Sequence, residues 1–331
     1  MADITTKFAG LQLKSPIIIG ASGITGTTRH FKEFEDYGAG AIVLKSIFEE
    51  EIVFEYQKFM EEAQKYGYDY EYLDYFDYKI KQDNLDKYIK LIEEAKKTVN
   101  IPIIASINCV SPHEWTYFTK RIEEAGADAL ELNIFILPSD LNKTSEEIEK
   151  TYFDVVEAVK KETSLPVIVK MSYFFTNLGQ MIIKLSEKVD GLVLFNRFYN
   201  PDIDIRNKKI VPASIFTDAD DIVIPLRWIA ITSGRVKSSL AASTGVHDGE
   251  GLIKILLAGG DAAQVVSTIY KNGAMQIKKM LEELDLYMNE NGYAKIDDMK
   301  GLLSQKNIKN PGLYERVQFM RYFSDYGEDI V

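Results

Sequence analysis

The sequence predicts an α/β fold of the (β/α)8 or TIM-barrel class, with extended loops after strands 2 and 6 and a C-terminal helical tail. Three observations carry this expectation. Short apolar runs recur along the 331 residues. Most are followed by a stretch with helical spacing, the mark of βαβ units and a parallel sheet. Each run ends in polar residues. Parallel strands point the same way, so those end residues gather on one face, which in a barrel is the face where chemistry happens.

Taken in order, strands are expected near 16–21, 40–45, 102–107, 128–133, 166–171, 190–196, 238–243 and 261–267. Helices are expected near 29–38, 83–98, 113–125, 145–163, 178–188, 227–235, 249–258 and 273–290. Ala41-Ile42-Val43-Leu44 ends in Lys45-Ser46, and Ile103 to Ile107 ends in Asn108. Ala129 to Leu132 ends in Asn133, Val167-Ile168-Val169 in Lys170, and Leu192 to Phe195 in Asn196. Gly40, Gly126, Gly191 and Gly260 stand where helices end or strands begin, as helix capping predicts. Pro102 and Pro166 precede strands, a position that tolerates proline. Two connections, 47–82 and 197–226, exceed simple turns. The second contains Ile203 to Val211, which reads as a small hairpin. Long loops on this face act as lids or partner surfaces. Residues 1–331 read as one domain, with the barrel over about 10–290 and a tail over 291–331. A doubly wound sheet is the rival fold. Gly20 to Gly26 lacks the GxGxxG spacing that it requires, and Lys45 stands where its acidic residue belongs.

Composition narrows the function. Hydrophobic residues make up 46% and the net charge is −11, with pI near 5.0. General nucleic-acid or anionic-membrane binding requires the opposite sign. Cys109 is the single cysteine, so no intrachain disulfide forms, in keeping with a cytoplasmic protein. The N-terminus has no signal pattern and no apolar run is long enough to span a membrane. His, Cys and Asp spacing suggests no metal site.

Two polar clusters follow the last two strands: Ser243-Thr244-Gly245 and Ser267-Thr268. Small residues let backbone N–H groups approach an anion, and hydroxyls add donors. Barrels commonly hold phosphate here. Ser, Thr and Gly also suit plain turns, but two clusters in consecutive terminal units point to phosphate. His247 lies beside this loop.

These residues together resemble the dihydroorotate dehydrogenase family of FMN-containing barrels, most closely the soluble single-subunit type, over roughly residues 3 to 305. Ala21-Ser22-Gly23 is similar to the family's first-strand turn along the flavin. Lys45-Ser46 matches its Lys-Ser pair, Gly67 to Tyr75 resembles an aromatic segment found there, and Asn133, Lys170 and Asn196 match its strand-end residues. Gly245 and Ser267-Thr268 fall where it binds the FMN phosphate, and Asn108 and Thr244 complete the expected cofactor set. The resemblance implies an FMN-dependent dehydrogenase acting on CH–CH groups, oxidising dihydroorotate to orotate in pyrimidine biosynthesis, as a cytoplasmic homodimer. Lys45 and Lys170 would be catalytic: Lys170 beside the flavin N1, Lys45 between flavin and a carboxylate. Asn133, Asn196 and Arg197 would join Lys45 in contacting substrate.

The substrate half departs from the family. Its fourth-strand loop reads Asn-Leu-Ser-Cys-Pro-Asn, with the cysteine or a serine as base, whereas this chain has Asn133-Ile134-Phe135-Ile136-Leu137-Pro138-Ser139-Asp140. Ile136 and Leu137 take no proton, which leaves Ser139, beyond the proline, as a weak candidate base. The family's Asn-Ser-Met-Gly-Leu-Pro-Asn is replaced by Lys58 to Gln64. A lost base costs about two to four orders of magnitude in rate. Three readings therefore stand: dihydroorotate oxidation, a flavoprotein acting on another substrate, and a non-catalytic flavin- or phosphate-binding barrel. Cys109 reads as packing, and the run Tyr66–Tyr78, with its six tyrosines, as a lid, a dimer contact or a folded-back cover.

Overall fold

The computed structural model describes residues 2–52, 54–56, 58, 73–108, 112–197 and 200–315, with the backbone alone at 73–78 and 112–117. The chain opens with a hairpin, β1 (Thr6–Phe8) and β2 (Leu11–Leu13). Eight strands then close a parallel barrel: β3 (Ile17–Ile19), β4 (Ala41–Val43), β6 (Ile103–Asn108), β7 (Ala129–Asn133), β8 (Val167–Met171), β9 (Gly191–Leu194), β12 (Ser239–Ser243) and β13 (Ala262–Val265). Seven fall within the predicted ranges, and β6 runs one residue past its expected end at 107. Closure runs from β13 to β3 through Ala263–Ile17, and β4 pairs with β6 through Ile42–Ile103. A short β5 (Ile47–Phe48) continues past Lys45 and adds to β6.

The outer layer is helical: α1 (Phe31–Asp36), α2 (Leu73–Thr98), α3 (Pro112–Glu124), α4 (Ser145–Glu162), α5 (Leu178–Ser186), α6 (Val223–Thr232), α7 (Gly249–Ala258), α8 (Ser267–Asn272) and α9 (Met275–Glu290). The helix expected from residue 83 begins ten residues earlier, and the last expected helix is preceded by the short α8. Local chemistry sets the ends. Thr144 and Glu147 form a reciprocal capping box at the start of α4, satisfying two otherwise unpaired amides. At α7, Asp248 accepts from the Gly251 amide and Gly259 takes the left-handed C-cap.

The strands alternate between two apolar compartments. Ile18, Ala41, Val43, Ile104, Ala129, Ile168, Val193, Ala241 and Ala262 face into the barrel, while Ile17, Ile19, Ile42, Leu130 and Val169 face the helices. The N-terminal hairpin closes one end, placing Phe8, Ala9 and Leu13 in the interior cluster. Gly191 makes room for it: a Cβ there would lie 3.0 Å from Ala9 and 3.1 Å from Phe8. The hairpin expected between 203 and 211 is present as β10 (Pro201–Asp204) and β11 (Lys209–Pro212). The tail packs on the outside through Ile296 and Met299, both buried, and Lys300 pairs with Asp261 at 3.0 Å. Cys109, Tyr66 to Tyr72 and Met60 to Gln64 lie outside the described residues. No described helix is long and apolar enough to cross a membrane.

Candidate active site

The same strand parity that fills the lower barrel with Ile, Val and Ala brings polar side chains inward one step nearer the C-terminal face. Glu131 follows Ala129, Lys170 follows Ile168, and Gln264 follows Ala262 in this inward series. The three meet. The Lys170 ammonium donates to Gln264 Oε1 at 2.9 Å, and Gln264 Nε2 donates to Glu131 Oε2. Lys170 is 6% exposed and Glu131 fully buried. Burial pushes the Lys170 ammonium below the ordinary lysine range, opposed by the charge of Glu131. Burial likewise pushes the Glu131 carboxyl up, opposed by Lys170 and by the Gln264 bond.

Lys170 and Gln264 form the floor of a cleft of about 190 Å³. Its walls carry Ala21, Asn196, Arg197, Ser243 to Val246 and Ser267. Thr244 and Gly245 both have positive φ, +84° and +82°. For β-branched Thr244 this is a costly conformation, one that persists only where surroundings impose it. Its hydroxyl donates to the Phe195 carbonyl at 3.1 Å. At Gly245 a Cβ would lie 2.1 Å from the Ile222 amide nitrogen, so only glycine fits.

The long connection after β9 is tied down at the cleft rim. Thr217 N donates to Ser267 Oγ at 3.1 Å, Thr217 Oγ1 meets His247 Nε2 at 2.8 Å, and Lys271 donates to the Thr217 carbonyl at 2.8 Å. Burial, then the Lys271 charge, holds the His247 imidazole below its usual range. Thr268 is buried and donates to the His247 carbonyl at 2.8 Å, so its hydroxyl braces the loop rather than facing the cleft. Asn196 Nδ2 donates to Asn133 Oδ1 at 2.5 Å, an arrangement that leaves the Asn133 amide NH2 as a donor and the Asn196 amide oxygen as an acceptor. The Arg197 guanidinium donates to the Ile215 carbonyl at 3.2 Å.

The remaining predicted residues lie elsewhere on the same face. Lys45 pairs with Glu51 at 2.9 Å and is half exposed. It lines a neighbouring pocket with Ser46, Tyr88 and Asn84, not the Lys170 cleft. Ser46 Oγ contacts Ser106 Oγ at 2.7 Å, and Asn108 is buried. Ser22 is engaged with the turn it caps: its amide donates to Thr25 Oγ1 at 3.1 Å. Gly23 passes close to the Tyr270 hydroxyl. Ser139 is exposed on the loop after β7. Glu131 and Gln264 were not anticipated from the sequence. Their signal is that they share inward parity with Lys170 on different strands.

Comparison with known proteins decides the family. A family model described as "Dihydroorotate dehydrogenase" matches residues 76–288. The chain belongs to the dihydroorotate dehydrogenase family. It is similar to the "Dihydroorotate dehydrogenase B (NAD(+)), catalytic subunit" of Thermoplasma volcanium, 26% identical across 91% of this chain and 99% of that protein. The protein of the same description from Methanocaldococcus jannaschii is 27% identical, covering 87% of this chain and 94% of that protein. The "NAD-dependent dihydropyrimidine dehydrogenase subunit PreA" of Escherichia coli is 24% identical, covering 92% and 78%. This family member is an oxidoreductase acting on CH–CH groups of a small-molecule substrate.

Proposed function

We propose that the protein is an FMN-dependent dehydrogenase whose cofactor occupies the Lys170 cleft and whose substrate is dihydroorotate, a step of pyrimidine biosynthesis. The observation that carries this reading is a buried cation at the floor of a cleft rimmed by small polar residues. The donor set suits the cofactor: amides along Ser243, Thr244, Gly245 and Ser267 with the hydroxyls of Ser243 and Ser267 for a phosphate, and a cation for a ring that gains negative charge on reduction. Bound FMN would supply hydride acceptance from the substrate carbon. Lys170 stabilises the charge that develops at the cleft floor, and its burial strengthens that stabilisation. Asn133 and Asn196 keep a free donor and a free acceptor, the complement of an imide edge. Arg197 at the rim, and Lys45 across the face, are the cations available to an anionic substrate.

A second reading, the same cofactor with a different substrate, is favoured by the loop after β7. Ile136 and Leu137 occupy the stretch where the family carries its base, and Ser139 is exposed. The similarity to a dihydropyrimidine dehydrogenase subunit also supports it. Anaerobic mixing of the FMN-loaded protein with dihydroorotate separates the two: the first reading expects the flavin absorbance to bleach. A spectrum unchanged by dihydroorotate but bleached by a dihydropyrimidine supports the second.

A further inference from the structure

We propose that Glu131 is a positioning residue for Lys170: a buried countercharge, coupled through the Gln264 side-chain amide, that fixes the Lys170 ammonium at the floor of the cleft. Hydrogen-bond chemistry sets the direction of the relay. Lysine only donates, so the oxygen of the Gln264 amide must face Lys170, and its NH2 must face Glu131. Glu131 therefore has to present an acceptor, which it does through Oε2. A neutral glutamine at 131 would meet that requirement equally well. The carboxylate adds charge alone, and it does so where charge is costly. Glu131 is fully buried, and its second oxygen, Oε1, has no hydrogen-bond partner. A buried carboxyl oxygen without a partner is unfavourable unless a nearby opposite charge offsets it.

Strand register supports the coupling. Glu131 lies on β7, adjacent to β8, where Lys170 pairs with Asn133. From the other side, Glu131 is level with Ser106 on β6. Tyr88, bonded to the Ser106 backbone, feels the Glu131 charge and is pushed up further by it, after its own burial. Arg197 lines the same cleft above Lys170. Burial pushes both Lys170 and Glu131 toward their neutral forms, and at each the charge of the other opposes that push. What this does for a bound flavin rests on the function proposed above; the effect on Lys170 itself does not.

The test is trace acetylation of the full-length protein across pH, read at Lys170 by mass spectrometry, in the presence and absence of FMN. Glu131→Gln keeps the hydrogen bond and removes the charge. It is expected to lower the pH at which Lys170 becomes reactive by about one to three pH units. The double variant Glu131→Gln/Gln264→Glu moves the charge next to Lys170 and is expected to restore or raise that pH. It also serves if the single variant fails to fold. An unmoved Lys170 profile in both variants overturns the proposal. Loss of FMN protection at Lys170 with the shift intact would instead overturn the flavin reading and leave the role of Glu131 standing.

Discussion

The two sides of the barrel mouth are built differently. On the β8–β13 side, Lys170, Gln264, Thr244 and Gly245 are fixed by burial, by left-handed backbone and by a relay reaching Glu131. On the β4–β7 side, Lys45 is half exposed in a surface ion pair and Ser139 lies on an exposed loop. The first side is over-determined by packing, as a site with a fixed ligand requires. The Lys45–Glu51 pair on the second is a contact that water and salt weaken. Cofactor and substrate demands can thus diverge within one fold: the cradle resists change, and the opposite loops can be rewritten.

The difference can be broken most forcefully at Lys170. Lys170→Ala is expected to slow flavin reduction by about 10²–10³-fold, the scale of losing one charge-stabilising group. FMN affinity should fall much less. Stopped-flow reduction beside a binding titration measures both, and equal losses would erase the assigned role. Next comes Gly245→Ala, which forces a Cβ into the Ile222 backbone at a positive φ. A stability loss of at least about 2 kcal/mol is expected in denaturant unfolding. An unchanged midpoint would mean that the turn is not rigid.

A smaller effect should appear with acid. The imidazole of His247 is held below its usual 6.5, so the unfolded chain takes the proton first. Its contribution to stability is full above about pH 6.5 and is lost as pH falls through the lower folded value. Between pH 7 and 5 the melting temperature of the wild type should fall more steeply than that of His247→Gln, and parallel slopes would contradict the arrangement. The smallest effect belongs to Lys45→Met, since an exposed pair contributes about 0–1 kcal/mol. Stability should hardly move, and any change should appear in the KM of an anionic substrate. A large drop in melting temperature would show that the β4–β7 side is as tightly built as its opposite.

The barrel was legible because buried parallel strands read as continuous apolar runs with polar ends, and all eight were found from that pattern. The N-terminal plug was not, since strands as short as Thr6–Phe8 and Leu11–Leu13 carry too few residues for a clear period. Its turn does bear a mark, Ala9 and Gly10 at positive φ. Lys170 and Gly245 were legible as strand-end residues. Glu131 was not: within Ala129-Leu130-Glu131-Leu132 a lone carboxylate reads as the solvent side of an alternating strand. Only closure of the barrel turns that side inward and places Glu131 under Gln264. Thr268 illustrates the converse. Its hydroxyl suits an anion by type, but the fold spends it on the His247 carbonyl.

The Lys170 cleft is proposed above as a flavin cradle. Titrating FMN with the purified full-length chain and following flavin fluorescence tests it most directly. Saturable quenching with one FMN per chain, weakened by Gly245→Ala, is expected. Fluorescence that stays at the free-flavin level throughout the titration would contradict it.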